Sequence, residues 1–322
     1  MKRVLLYFLL VSIIVGPAAA PSVRAWGCKG HQTVALLAEK HLTADAKVMV
    51  DAILSGNPID PALRRFCGSV GLDAMADSST WADDERSKDP STGPWHFLDV
   101  PLDFTQENKI EQFCGAGGCV TQALTQQISI LKDKTATPAN RTTALRFIIH
   151  FVGDLHQPLH TTDNDDRGAN CVPLKYFRRN PHVKNNVYTP NLHHLWDTEI
   201  VERQMEGADP EEFATTLESI FADSFAEWQQ GGVQVDSWAW EGHQHAVDSV
   251  YGALPVKIAA EPANVTVKTC ADDNNIGLRM LHKHVVVGAA YQDVAGQVAE
   301  ERLAQAGIRL AMILNEAAKA TK

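Results

Sequence analysis

His150 and Asp154 stand four residues apart in His150-Phe151-Val152-Gly153-Asp154. On a helix this spacing puts both side chains on one face. His193 and Asp197 repeat it in Asn191-Leu192-His193-His194-Leu195-Trp196-Asp197, and His160 follows Gln157-Pro158-Leu159. Imidazole nitrogen with carboxylate oxygen is a donor set that suits zinc. A single pair of this kind reads as a surface ion pair. Two pairs with His160 nearby point to a metal centre.

Trp26 is a further candidate ligand. Met1–Ala25 reads as an export signal: Lys2 and Arg3 precede the apolar run Val4–Val15, and small residues lead to Val23-Arg24-Ala25. That run is shorter than the ~20 residues a membrane span needs, so the alternative of a retained anchor is disfavoured. Cleavage after Ala25 makes Trp26 the N-terminus. Its amine and carbonyl can then chelate a metal, with His31 five residues on.

Two more segments carry chemistry. Thr80–Arg86 packs Asp83, Asp84, Glu85 and Arg86 beside Trp81, and Trp95–Asp99 sets His96 between Trp95 and Phe97. Alone, the first reads as a solvated charge run and the second as a core histidine. His156 reads as core or as support for neighbouring ligands. The run Asp163–Asp166 reads as a solvated loop, with calcium binding as the alternative.

The elements that must position these groups are mostly helical. An apolar stripe runs through His31–His41. Thr43 can cap a helix reaching Leu54, stopped by Gly56 and Pro58. Gln122–Leu131 and Thr143–His156 are helical by pattern, the second ended by Pro158. Pro210–Gln230, Ser237–Leu254 and Gly277–Ala318 read as further helices, the last broken near Tyr291. Phe97–Val100 and Val172–Phe177 are the strand or hairpin candidates. Thr161–Pro190 reads as a long loop, a feature often tied to function. No repeat or linker interrupts the pattern, so residues 26–322 are expected to form one mainly α domain.

A 322-residue chain of 45% hydrophobic and 21% charged residues is ordinary for a globular protein. Its net charge of −10 repels duplex DNA and argues against broad phosphate-backbone binding. Bound cations can still make one site locally positive. All six cysteines follow the cleavage site, which suggests three disulfides whose connectivity the sequence leaves open. Cys114 and Cys119 flank Gly115–Gly118 and could close a small ring.

The motifs together resemble the zinc-dependent, single-strand-specific class I nucleases of fungi and plants, relatives of bacterial zinc phospholipase C. The carriers are W-G-x-x-G-H (Trp26–His31), W-A-D-x-x-R (Trp81–Arg86), H-F-x-D (His96–Asp99), H-F-x-G-D-x-H-Q-P-L-H (His150–His160) and N-L-H-x-x-W-D (Asn191–Asp197). The resemblance implies a helical fold with few short strands, long loops and three zinc ions. It implies that Asp83, His96, His150 and Asp154 hold the first ion and His160, His193 and Asp197 the second. The Trp26 amine and carbonyl, His31 and again Asp154 would hold the third. Arg86 would clamp the phosphate beside Asp83, Phe97 would stack the base, Asp99 would bond its edge, and Asn170 would line the site. Ala169 stands where the family usually has glycine, which puts the local backbone path in question.

The resemblance implies an exported phosphodiesterase acting on single-stranded DNA and RNA and leaving 5′-phosphate and 3′-hydroxyl ends. A 3′-nucleotidase activity, a monomer, and no stable membrane association are expected with it. Two other readings fit the same residues: a zinc phospholipase C on this scaffold, and a secreted zinc-binding protein without turnover.

Overall fold

The computed structural model describes residues 26–60, 63, 67, 73–184, 187–258, 270 and 284–321. The expected export signal lies outside the described residues. Helix α1 (Cys28–Lys40) is followed by α2 (Ala44–Ser55), where the Thr43 hydroxyl accepts from the Ala46 amide, as its position predicts. Two short helices follow, α3 (Ala74–Ser78) and α4 (Trp81–Lys88), then a 3₁₀ turn over Pro90–His96. Helix α4 has no apolar stripe, which is why its sequence reads as a charge run; it is nonetheless a helix with Trp81–Asp84 buried.

Helix α5 (Val120–Lys132) packs beside α6 (Pro138–His156), which starts earlier than periodicity indicates. Thr137 caps it and Pro138 opens it, a combination that tolerates the missing proline N–H. Strand β1 (Lys175–Tyr176) pairs in parallel with β4 (Val286–Val287), and β2 (His182–Lys184) forms a hairpin with β3 (Val187–Thr189). The hairpin lies inside the segment expected to be loop. Phe97–Val100 is extended chain with no ladder of its own.

Helices α7 (Leu192–His194) and α8 (Ile200–Gln204) flank a wider π turn over Leu195–Glu199. The expected Pro210–Gln230 helix is split into α9 (Pro210–Phe221) and α10 (Phe225–Trp228), and α11 (Val235–His245) passes into a π turn ending at Tyr251. Helix α12 (Ala289–Thr321) starts just before Tyr291 and runs unbroken from there; the expected Gly277–Ala318 span holds strand β4 ahead of it, and its residues 277–283 lie outside the described residues. Tyr291 is buried and hydrogen-bonded to Val250 and Trp196, so it ties the helix down without interrupting it.

Helices α6 and α12 form the centre, with α1, α5 and α9 against them. The last turn of α6 is clamped from α12: Arg302 donates to the His156 carbonyl at 3.1 Å and Arg309 to His156 Nε2 at 3.0 Å. Glu241 bridges both guanidiniums. His156 is therefore a core histidine. Cys28–Cys67, Cys114–Cys119 and Cys171–Cys270 form three disulfides. Among the described residues no helix is long and apolar enough to cross a membrane.

Candidate metal centre

Asp154 is wholly buried on α6 and meets histidines from three elements. His96 Nδ1 lies 2.9 Å from one carboxylate oxygen; His150 Nε2 and His31 Nε2 lie 3.2 and 3.4 Å from the other. The rings of His31 and His150 stack with centroids 4.1 Å apart. His31 comes from the first turns of α1, His96 from the end of the 3₁₀ turn, and Asp83 from α4. Donor atoms of His31, Asp83 and His150 lie within 4.8 Å of one another, and so do those of His96, His150 and Asp154.

His160, His193 and Asp197 form a third group of the same tightness. The π turn places Asp197 so that one oxygen is 3.3 Å from His193 Nε2 while the other accepts from the Gln157 amide at 2.7 Å. Trp26 and Gly27 abut this group: the Gly27 amide donates to the Asp197 carbonyl at 2.6 Å, and the Trp26 side chain is wholly buried. Asp84 is buried and His194 half-exposed, and neither belongs to the three groups.

Backbone carbonyls hold three of the imidazoles. Nδ1 of His150 donates to Ser79, that of His160 to His96, and that of His193 to Gly168, at 2.7, 2.7 and 2.6 Å. Each bond holds the ring with Nε2 facing the cluster, the usual outer support of a metal-ligating histidine. His96 Nε2 and both His31 nitrogens are buried without a well-formed hydrogen bond, and Asp83 Oδ1 and Asp154 Oδ1 have only ion-pair contacts of 3.2 to 3.4 Å to Arg86, His150 and His31. So many poorly satisfied polar atoms close together would be costly in a bare protein interior. Metal cations would satisfy the carboxylate oxygens and one nitrogen of each imidazole, so the residues fit the ions that the sequence implies.

The electrostatics agree. Burial opposes the ionised Asp154 carboxyl, but His150, His31 and His96 outweigh it and hold its pKa well below the usual range. Burial also opposes charge on His150, yet Asp154 and Asp83 lift it to about 9. His96 is pushed down to about 4, chiefly by burial. Burial drives Asp197 well above the carboxylate range, against the Gln157 hydrogen bond.

The remaining predicted residues sit around this cluster. Arg86 is partly buried with Nη2 3.3 Å from Asp83 Oδ1. Phe97 and Asp99 follow His96 in chain that lies beside His160, since the Leu98 amide donates to the His160 carbonyl. Burial by surrounding protein, then Asp163, pushes Asp99 up to about 7 although its edge is open to solvent. Asn170 is half-buried with its amide on the Arg167 carbonyl. The preceding loop takes left-handed backbone at Arg167, Gly168 and Ala169, so Ala169 adopts the conformation a glycine would. Asp166 in this loop is buried and bonded to Ala169 and Tyr251 rather than solvated.

Some supporting groups carry no signal in the sequence. The Ser79 and Gly168 carbonyls are silent in a pattern search, and Gln157 stands in the His150–His160 motif without its contact to Asp197 being readable there. Gly153 is different: a glycine inside the strongest helix costs about 1 kcal/mol against alanine and so marks a close approach.

A helical scaffold converging three groups of buried histidine and aspartate defines a metal-centre protein. The S1/P1 Nuclease family model matches residues 26–319, and the chain belongs to that family. It is 28% identical over 306 residues to Nuclease S1 of Aspergillus oryzae, covering 92% of this chain and 93% of that protein. It is 26% identical over 311 residues to Nuclease P1 of Penicillium citrinum, covering 90% and 97%. Endonuclease 4 of Arabidopsis thaliana is 26% identical over 306 residues, covering 90% and 88%.

Proposed function

We propose that this chain is an exported nuclease that hydrolyses phosphodiester bonds of single-stranded DNA and RNA with three zinc ions. Products carry 5′-phosphate and 3′-hydroxyl ends, and 3′-nucleotides are dephosphorylated by the same centre. The observation that carries the reading is the convergence on Asp154 of His31, His96 and His150, in a chain whose relatives are nucleases. A carboxylate within reach of all three imidazoles could serve two closely spaced ions.

Asp83, His96, His150 and Asp154 would hold one ion, and His160, His193 and Asp197 a second. His31, Asp154 and the Trp26 amine and carbonyl would hold the third, once residues 1–25 are removed. Bound zinc supplies a more acidic water and a polarised phosphate. The protein supplies the rest. Arg86 offers a planar cation to the phosphate oxygens, oriented by its contact with Asp83. Phe97 offers a ring for stacking a base, which requires a base outside a duplex and so favours single strands. Asp99 bonds the base edge, and Asn170 lines the approach.

Three disulfides support an oxidising compartment. With the expected export signal the enzyme is secreted or periplasmic, and it acts as a monomer without stable membrane association. The test is incubation of zinc-replete protein beginning at Trp26 with single-stranded DNA, duplex DNA, RNA, a 3′-nucleotide and a choline phospholipid, with and without chelator. Chelator-sensitive single-strand cleavage leaving 5′-phosphates is expected. Phospholipid turnover alone would move the chain to the phospholipase branch, and zinc binding without turnover to a binding protein.

A further inference from the structure

A cleft of about 790 Å³ lies behind the metal centre, between α4, the 3₁₀ turn and α6. Its walls are the far sides of the elements that carry the ligand groups. Trp81 and Glu85 line it from α4, whose opposite face bears Asp83. Trp95 lines it and is followed by His96; Phe147 lines it one turn before His150 and Phe151. Phe147 meets both indoles edge-on and stacks on Phe151, which meets His96 edge-on.

The lining is aromatic and polar, and it is poor in available positive charge. Arg146 is already committed, with its guanidinium 5.6 Å over the Trp81 ring and a hydrogen bond to the Asn57 carbonyl. Lys88 lies 3.7 Å from Glu85, and Asp60 and Asp89 add further negative charge. A phosphate would be repelled here, whereas a neutral ring would not. Gln127, Asn140 and Thr143 offer donors and acceptors for hydroxyls and base edges. The volume is in the range of small-molecule sites.

We propose that this cleft binds an uncharged nucleoside, the product of 3′-nucleotide dephosphorylation. The inference rests on the nucleotidase reading above. The lining distinguishes product from substrate by charge: the phosphorylated form is excluded and the dephosphorylated form accepted.

The test is isothermal titration calorimetry with adenosine, adenosine 5′-phosphate, which has the product-type phosphate that the metal centre leaves in place, and glucose. Phe97→Ala protein is used, to remove base stacking at the metal centre, and cleft binding is read as the component that Thr143→Trp removes. Adenosine is expected to bind saturably, and the 5′-phosphate to show a cleft component at least ~10-fold weaker, about 1.4 kcal/mol. Trp95→Ala removes one aromatic wall. Thr143→Trp fills the cleft from an exposed position. Each should weaken adenosine binding by at least ~10-fold. Absence of saturable adenosine binding, affinity unchanged in Thr143→Trp, or a Thr143→Trp-sensitive component that prefers glucose or the 5′-phosphate would overturn the assignment. Nucleotidase turnover of the unmodified enzyme is assayed separately. Its absence would overturn the reading of the metal centre, whereas absent nucleoside binding overturns the cleft alone.

Discussion

The His31 ring lies against Gly153 so closely that a β-carbon on residue 153 would sit 2.6 Å from Nδ1. Gly153 separates His150 from Asp154 on α6, and it is what lets α1 bring His31 onto the same carboxylate. Gly153→Ala should gain helix propensity of at most ~1 kcal/mol yet push His31 off its stack on His150. Zinc affinity, read by competition with a chelator, should fall about 10–100-fold, the usual cost of disturbing a ligand's support. Unchanged affinity would remove His31 from the centre.

Arg86 tests whether the centre turns over phosphoesters or only stores metal. It belongs to none of the ligand groups, and it touches Asp83 through one guanidinium nitrogen. Arg86→Ala should leave zinc content intact and lower turnover of single-stranded DNA about 10²-fold, as expected for losing one electrostatic stabiliser. Equal turnover with full zinc occupancy would exclude Arg86 from the mechanism.

The helices bearing His150, Asp154 and His31 were legible because their apolar stripes and caps are local signals. Thr43 and Pro158 mark boundaries where they stand. Other features depend on tertiary contacts. Helix α4 carries four charged residues in a row, Asp83–Arg86, and no periodic apolar face, so only packing against α6 reveals it. The splitting of the Pro210–Gln230 helix at Phe221 has no glycine or proline to announce it. The histidines and aspartates that come together in the three groups were readable from i,i+4 pairs and motif order. The carbonyls of Ser79, His96 and Gly168 that orient the imidazoles carry no side-chain signature at all.

Asp166 makes stability depend on pH. Burial, then Asp163, raises its pKa to about 7, against hydrogen bonds from Ala169 and Tyr251. A folded-state pKa above the unfolded value near 4 means that the native state holds the proton more tightly. Its contribution is complete below about pH 4 and is lost as pH rises toward 7. Chemical denaturation of the wild type should therefore show declining stability over this window relative to Asp166→Asn. Their difference should be a few kcal/mol between its ends. Parallel pH profiles would refute the assignment.

Zinc loading should release protons. Before metal binds, Asp154 and Asp83 keep His150 protonated at neutral pH against the opposing effect of burial, and burial shifts Asp197 toward its protonated form. A ligating imidazole nitrogen or carboxylate oxygen must give up any proton it holds. Adding zinc to chelator-stripped protein in weak buffer at pH 7 should acidify the solution, and affinity should fall as the pH is lowered. Loading with no proton release would mean that neither group coordinates. Stripping should also lower the unfolding temperature, because the groups tie α1, α4, α6 and the π turn together.

The N-terminus supplies the sharpest test of maturation. Trp26 is wholly buried, and Gly30 approaches it so closely that a β-carbon there would lie 2.7 Å from the Trp26 β-carbon. The residue is thus held in place by α1 and by the Gly27 contact with Asp197, whatever precedes it. If its amine is a ligand, retaining Ala25 converts that amine to a peptide nitrogen without a lone pair to donate. The extended protein should bind two zinc ions where the mature one binds three, and it should lose most activity while keeping its fold. Zinc per chain by elemental analysis, alongside circular dichroism, separates these effects. Three zinc ions and full activity with Ala25 in place would show that the third ion does not depend on a free Trp26 amine.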